Sequence, residues 1–233
     1  MHIFLKYVAI VVIALSAFIY GLIRGTTHAS LWRPCTECYR LANSEAITQQ
    51  QHPAIVFFGD SIVQGWNLPK FFPGVTVLNR GISGQTTSQL ILRFRQDVIQ
   101  LHPTAVVILG GTNDLAGVTG EITDADIESN LQSIAELGSL HQIRVVFASI
   151  LPADNYAQSS SFFRYRDPAR ILAVNNWMRG YCAQEHMLYL DFYGAIADER
   201  GMFRRDFSED GLHPNSKGYK VMADLVNSTL GQI

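Results

Sequence analysis

The segment Phe57-Phe58-Gly59-Asp60-Ser61 stops an apolar run on a glycine and delivers a serine, and near the far end of the chain stands Asp210-Gly211-Leu212-His213. A serine hydroxyl is a weak nucleophile until an imidazole takes its proton and a carboxylate orients that imidazole. These residue types therefore propose acyl transfer through Ser61, His213 and Asp210. Only Gly211 and Leu212 separate the acid from the imidazole, so one turn could bring the carboxylate to one ring nitrogen while the other faces the serine. Taken singly, each motif has a plainer reading, Ser61 as a helix cap and His213 as a surface residue ahead of Pro214.

Two glycine-bearing stretches between these ends offer hydrogen-bond donors for a developing oxyanion. In Asn79-Arg80-Gly81-Ile82-Ser83-Gly84 the glycines permit a tight loop and close approach of a main-chain amide, which makes Gly84 a candidate donor. Gly110-Gly111-Thr112-Asn113-Asp114 adds a side-chain amide, Asn113. A backbone amide beside the Ser61 hydroxyl could also face the developing negative charge. The plainer alternatives are a glycine that only relieves strain and an asparagine that only closes an Asx turn.

Such residues need a rigid frame, and the pattern between residues 52 and 191 supplies one. Short apolar runs at 54–58, 76–79, 105–109, 144–149 and 188–191 alternate with stretches of helical period at 87–101, 124–140 and 167–185, and a last helix follows at 215–230. Strands alternating with helices predict parallel pairing through crossover connections, hence an α/β domain with five strands and helices on both faces. In open sheets of this kind functional groups collect beyond the carboxyl ends of the strands, and the first three motifs fall at strand exits while the fourth precedes the last helix. Thr123 ahead of Asp124 and Asp126 provides capping oxygens, and Pro214 suits a first helical turn.

Residues 7–23 are apolar apart from Ser16 and Gly21, flanked by Lys6 and Arg24, and predict a hydrophobic helix that meets a membrane. A retained anchor is favoured over a cleaved signal peptide, giving residues 1–26 as anchor or signal, 27–50 as linker and 51–233 as the catalytic domain. The short flank before the apolar run favours export to the periplasm as an anchored or secreted protein, although the positive charges on its far side do not. The catalytic domain is long enough for one core. With 48% apolar residues, 16% charged residues, a net charge of -2 and no basic block, nucleic acid is excluded as a natural partner. Cys35 and Cys38 read as a local disulfide or thiol pair, and Cys182 as a small buried hydrophobe; a zinc site from these three with His186 is the less favoured alternative.

Four short motifs in a fixed order make coincidence a poor account. The chain resembles the SGNH or GDSL-type esterase and lipase family, whose serine, glycine, asparagine and histidine blocks are matched by Ser61, Gly84, Asn113 and His213 over roughly residues 54–226. The first block reads Gly-Asp-Ser-Ile, with Ile62 in place of the family's leucine, and no Gly-x-Ser-x-Gly surrounds Ser61. The resemblance implies a flavodoxin-like three-layer α/β/α fold. It also implies Ser61 as nucleophile, His213 as base, Asp210 as its orienter and an oxyanion hole of Ser61, Gly84 and Asn113, with neither metal nor cofactor. Substrates would be small-molecule or lipid esters such as lysophospholipids, thioesters or aryl esters. A carbohydrate O-acetyl esterase or a silent binding module is the alternative. Phe162, Phe163 and Tyr165, with Trp66 and Leu115, are candidates for an apolar acyl wall.

Overall fold

Ile55–Gly59 (β1), Val77–Gly81 (β2), Ala105–Leu109 (β3), Arg144–Ala148 (β4) and Leu188–Leu190 (β5) pair in parallel, in the order β2-β1-β3-β4-β5. These strands come from a computed structural model that describes residue 16 and residues 34–154, 166–229 and 231. The order reverses direction at β1, so the crevice between the exits of β1 and β3 is the switch point of the sheet. Register brings the exits level: Gly59 lies opposite Gly81 on one side and Leu109 on the other. Loops that leave β1, β2 and β3 therefore start side by side.

Side chains alternate across the sheet and build two cores. Val56, Phe58, Val106, Ile108, Val145 and Phe147 face helices Thr87–Asp97, Asp124–Leu140 and Pro168–Gln184, through residues such as Leu90, Phe94, Leu131 and Met178. Ile55, Phe57, Val107, Leu109, Val146 and Ala148 face the other layer, with Trp66, Phe72, Phe192, Tyr219 and Met222. Both cores make the α/β/α sandwich that the alternating pattern predicts.

The helices, numbered in chain order, are Arg40–Thr48 (α1), Ser61–Gln64 (α2), Leu68–Phe71 (α3), Thr87–Asp97 (α4), Thr112–Leu115 (α5), Asp124–Leu140 (α6), Pro168–Gln184 (α7), Phe192–Ile196 (α8) and Ser216–Thr229 (α9). Thr123 and Asp126 cap α6 reciprocally, as expected. The helix expected over 87–101 instead stops at Asp97 and resumes as a single 3-10 turn at Ile99–Leu101. Pro214 does not enter α9, because Asn215 stands next and its side-chain oxygen takes the amides of Lys217 and Gly218 at 2.9 and 3.2 Å.

The stretch read as a linker is folded from Pro34 onward. Cys35 and Cys38 form a disulfide, the more local of the readings open to them, and α1 follows. Tyr39 Oη donates to Gly81 O at 2.6 Å; Asn43 Nδ2 donates to Asp97 Oδ1 at 2.7 Å while its Oδ1 accepts from Arg80 Nε at 2.8 Å. This docking is polar, which is why no apolar period announced it. Residues 34–233 group as one compact unit. The apolar stretch 7–23 lies, apart from Ser16, outside the described residues, as does 155–165 with Phe162, Phe163 and Tyr165. Among the described residues no helix is long and apolar enough to cross a membrane.

Gly59 is required by close approach. A Cβ there would sit 2.1 Å from Leu109 O and 2.8 Å from Val63 Cγ2, so β1 could not stay level with β3 while turning into α2. Gly59→Ala is expected to destabilise the domain by about 3 kcal/mol or more, lowering the thermal midpoint by roughly 6 to 12 °C. An unchanged midpoint by circular dichroism would contradict this packing.

Candidate active site

Ser61 opens α2 directly after β1, held there because the preceding Asp60 caps the helix through Oδ1, which accepts from Ile62 N at 2.9 Å. From the other end of the chain, His213 Nε2 reaches Ser61 Oγ at 3.0 Å and His213 Nδ1 meets Asp210 Oδ2 at 2.7 Å. Sequence reasoning placed these three residues together, and the structure does so.

The Asp210–His213 turn is held by its own hydrogen bonds. Asp210 Oδ1 accepts from the main-chain amides of Leu212 and His213 at 2.9 and 2.8 Å, leaving Oδ2 for the ring. Gly211 has φ +81, and its carbonyl receives Asp154 N at 2.9 Å; a Cβ there would lie 1.8 Å from Asp154 O. Burial pushes the Asp210 carboxyl up, but hydrogen bonds from the His213 ring and from the two amides outweigh it and hold the group below its ordinary value. Ionised Asp210 can only accept, so the Nδ1 proton belongs to that bond and Nε2 is left to take the serine's. Tyr219 of α9 fixes the approach of the two halves by donating to Ile62 O at 2.8 Å.

Gly84 and Asn113 lie in the segments that follow β2 and β3, strands whose ends are level with that of β1. Gly84 has φ +78 with open space where a Cβ would stand, so its conformation and not crowding requires glycine. Asn113 is buried and donates one Nδ2 proton to Gln85 O at 3.0 Å, which ties the β3 exit to the β2 exit. Asp114, also buried, accepts from Thr87 N at 3.0 Å and Thr87 Oγ1 at 2.6 Å and makes a second tie between the same loops. The second proton of Asn113 Nδ2 is available to an oxygen bound beside it.

Several residues of the site were not singled out from the sequence. Arg93 of α4 is wholly buried and donates to Gly59 O at 2.7 Å, Arg80 O at 2.8 Å, Asp97 Oδ2 at 2.9 Å and Gln85 Oε1, so it gathers the exits of β1 and β2. Arg166, also buried, donates to Thr112 Oγ1 at 2.8 Å and Asn113 Oδ1 at 3.3 Å. The i,i+4 pair of Arg93 with Asp97 reads in sequence as an ordinary helix pair, while Gly59 and Asn113, held by Arg93 and Arg166, are distant in sequence. Trp66 and Leu115, read as possible acyl wall, are core residues: Trp66 stacks on Tyr219 with centroids 5.5 Å apart, and Leu115 packs in the opposite core. Cys182 is buried as expected, and burial pushes its thiol up to about 11. A surface groove of about 710 Å³ lies at the amino ends of β4 and β5, beside Arg144 and Leu188, and holds none of these residues.

With this geometry in view, comparison with known proteins is informative. The model of the GDSL-like Lipase/Acylhydrolase family matches residues 57–221. A platelet-activating factor acetylhydrolase IB subunit alpha1 of Pongo abelii is 32% identical over 193 residues, covering 79% of this chain and 78% of its own. An uncharacterized lipoprotein of Bacillus subtilis, YqeF, is 32% identical over 117 residues, 42% of this chain and 48% of that protein. The crystal structure of a GDSL-like lipase from Bacteroides thetaiotaomicron superposes with a TM-score of 0.76 at 31% identity, covering 85% of this chain and 98% of the other.

One charge in the site has a measurable signature. Asp60 is fully buried, and its Oδ2 takes no hydrogen bond from the described residues. Burial raises its carboxyl from 3.8 to about 6, against the Ile62 amide and the charges of His213 and Arg166. Between those values the folded chain keeps a proton that the unfolded chain has released, so raising the pH through that window costs stability, and above it the loss is complete. Asp60→Asn keeps the capping oxygen and removes this charge. Its thermal midpoint relative to wild type should climb from about pH 4 to about pH 6 and then level off. A difference independent of pH would show that Asp60 is not titrating in this way.

Proposed function

The chain belongs to the GDSL-like lipase/acylhydrolase family and is an ester-hydrolysing enzyme; from that premise we propose a serine esterase in which Ser61, His213 and Asp210 form the catalytic triad. The observation that carries the reading is the unbroken relay from Ser61 Oγ through His213 to Asp210, at 3.0 and 2.7 Å.

Ser61 Oγ attacks the ester carbonyl as His213 Nε2 takes its proton, and Asp210 stabilises the imidazolium that results. The carbonyl oxygen, now an anion, is met by the amides of Ser61 and Gly84 and by Asn113 Nδ2. Collapse breaks the bond to the alcohol, which leaves with the proton from His213. Water, deprotonated by the same ring, then releases the acid from Ser61. The acyl group is proposed to be short and its alcohol a lipid or other small molecule, a reading supported by similarity to a protein named platelet-activating factor acetylhydrolase. A site outside the cytoplasm is proposed as well. The disulfide of Cys35 with Cys38 and the partial match to a Bacillus lipoprotein support it.

Ser61→Ala should fold normally and lose roughly 10⁶-fold in kcat on p-nitrophenyl acetate. A fluorophosphonate probe should label wild type at Ser61 and leave the variant unlabelled. Labelling of the variant, or retention of its activity, would place the nucleophile elsewhere. Wild-type kcat/KM should be higher for p-nitrophenyl acetate than for the decanoate, and the opposite order would overturn the short-acyl assignment.

A further inference from the structure

We infer that Arg166 is a positioning residue for the oxyanion: it grips the Asn113 carboxamide by its oxygen and thereby aims the remaining Nδ2 proton at the carbonyl under attack. The inference rests on the reading of Asn113 as an oxyanion donor.

A carboxamide has nearly the same shape in its two flipped orientations, so its hydrogen-bond partners alone decide which end is the donor. Here Nδ2 faces the carbonyl of Gln85 at 3.0 Å and Oδ1 faces Arg166 Nη2 at 3.3 Å. Flipping would set the carboxamide oxygen against a carbonyl oxygen and its nitrogen against a guanidinium nitrogen. Both contacts would become repulsive at once, in a buried place where neither group could turn to water. With Nδ2 committed in this way, its second proton has one direction.

Arg166 is itself anchored. Nε donates to Thr112 Oγ1 at 2.8 Å, so the residue preceding Asn113 fixes the guanidinium that orients Asn113. Burial brings the guanidinium down to about 10, opposed by the charges of Asp60 and Asp210, which leaves it a cation at neutral pH. A cation on the amide oxygen draws electron density from the nitrogen and strengthens the opposite N–H as a donor. Gln85, the other partner of Asn113, is in turn held by Arg93. The two arginines thus secure the two ends of one carboxamide.

A double-variant cycle tests this on the full chain with p-nitrophenyl acetate. Asn113→Ala should lose about 10²-fold or more in kcat. Arg166→Met should lose between about ten- and a hundredfold in kcat with little change in KM, as expected for a misaimed donor. The double variant should be no slower than Asn113→Ala alone, because Arg166 acts only through that side chain. Thr112→Val, a milder change, should give a smaller loss that also vanishes in the Asn113→Ala background. If Arg166→Met does not fold, judged by circular dichroism, the Thr112 cycle decides by the same criterion. Multiplying losses in the cycle, or a loss confined to KM, would overturn the inference by giving Arg166 a separate role. Wild-type turnover in Arg166→Met beside an impaired Asn113→Ala would overturn it while leaving Asn113 in place. Full turnover in Asn113→Ala would instead remove the oxyanion reading on which the inference stands.

Discussion

A single buried guanidinium, that of Arg93, governs how the catalytic end of the sheet is assembled. Its donors reach Gly59 O at the end of β1, Arg80 O near the end of β2 and the side chain of Gln85 in the loop beyond, while its face lies 4.1 Å from the Phe58 ring centroid. Burying such a cation is costly unless it is paired and its protons are satisfied. Asp97, one turn further along α4 and equally buried, supplies the counter-charge. That carboxylate needs a second donor, which is Asn43, and Asn43 also accepts from Arg80. The docking of α1 follows from this chain of obligations. Removing either Arg93 or Asp97 would strand the other's buried charge, a loss of about 3 to 5 kcal/mol for a broken pair.

How much of this the sequence discloses depends on the range of the interaction concerned. β3 and α6 lie where the apolar runs and helical periods put them, to the residue, because burial on one or both faces writes a repeating pattern. The remaining strands and long helices shift by a residue or two at their ends, where caps and exit turns decide, except α4, which stops four residues short of the expected end and gives way to the 3-10 turn Ile99–Leu101. The single-turn helices α3, α5 and α8 were invisible, since four or five residues are too few to show a period. α1 escaped because it is attached through Tyr39 and Asn43 and not through an apolar stripe.

The same distinction explains the site. The meeting of Ser61, Asp210 and His213 was legible because the chemistry proposed for them, like that proposed for Gly84 and Asn113, demands particular residue types in particular kinds of turn. Arg93 and Arg166 were not, because the groups that give them their place are brought by folding, Gly59 from 34 residues away to Arg93 and Thr112 from 54 to Arg166, while the i,i+4 pair of Arg93 with Asp97 reads in sequence as an ordinary helix pair. Trp66 misled for a related reason. Adjacency in sequence to Ser61 suggested a rim, yet the turn after α2 sends the indole inward, onto Phe57, Phe72, Phe192 and Tyr219.

The two cores divide the chemical labour. The turn bearing Asp210 and His213 leads into α9, whose Tyr219, Met222 and Val226 belong to the core under α2, and Tyr219 holds Ile62 directly. The loops bearing Gly84 and Asn113 are tied instead to α4 on the opposite face, through Arg93 to Gln85 and through Asp114 to Thr87. The proposed base is thus positioned from one layer and the proposed oxyanion donors from the other. Ser61 stands where β1 ends between them, and Gly59 just before it touches both systems, by its close fit to Val63 and by its carbonyl on Arg93. A shift of either layer against the sheet would move base and donors apart, so alignment at Ser61 requires both cores to be packed against β1 at once. On the proposed mechanism, the rigidity of a two-sided sandwich is for that reason a condition of the reaction and not only of the fold.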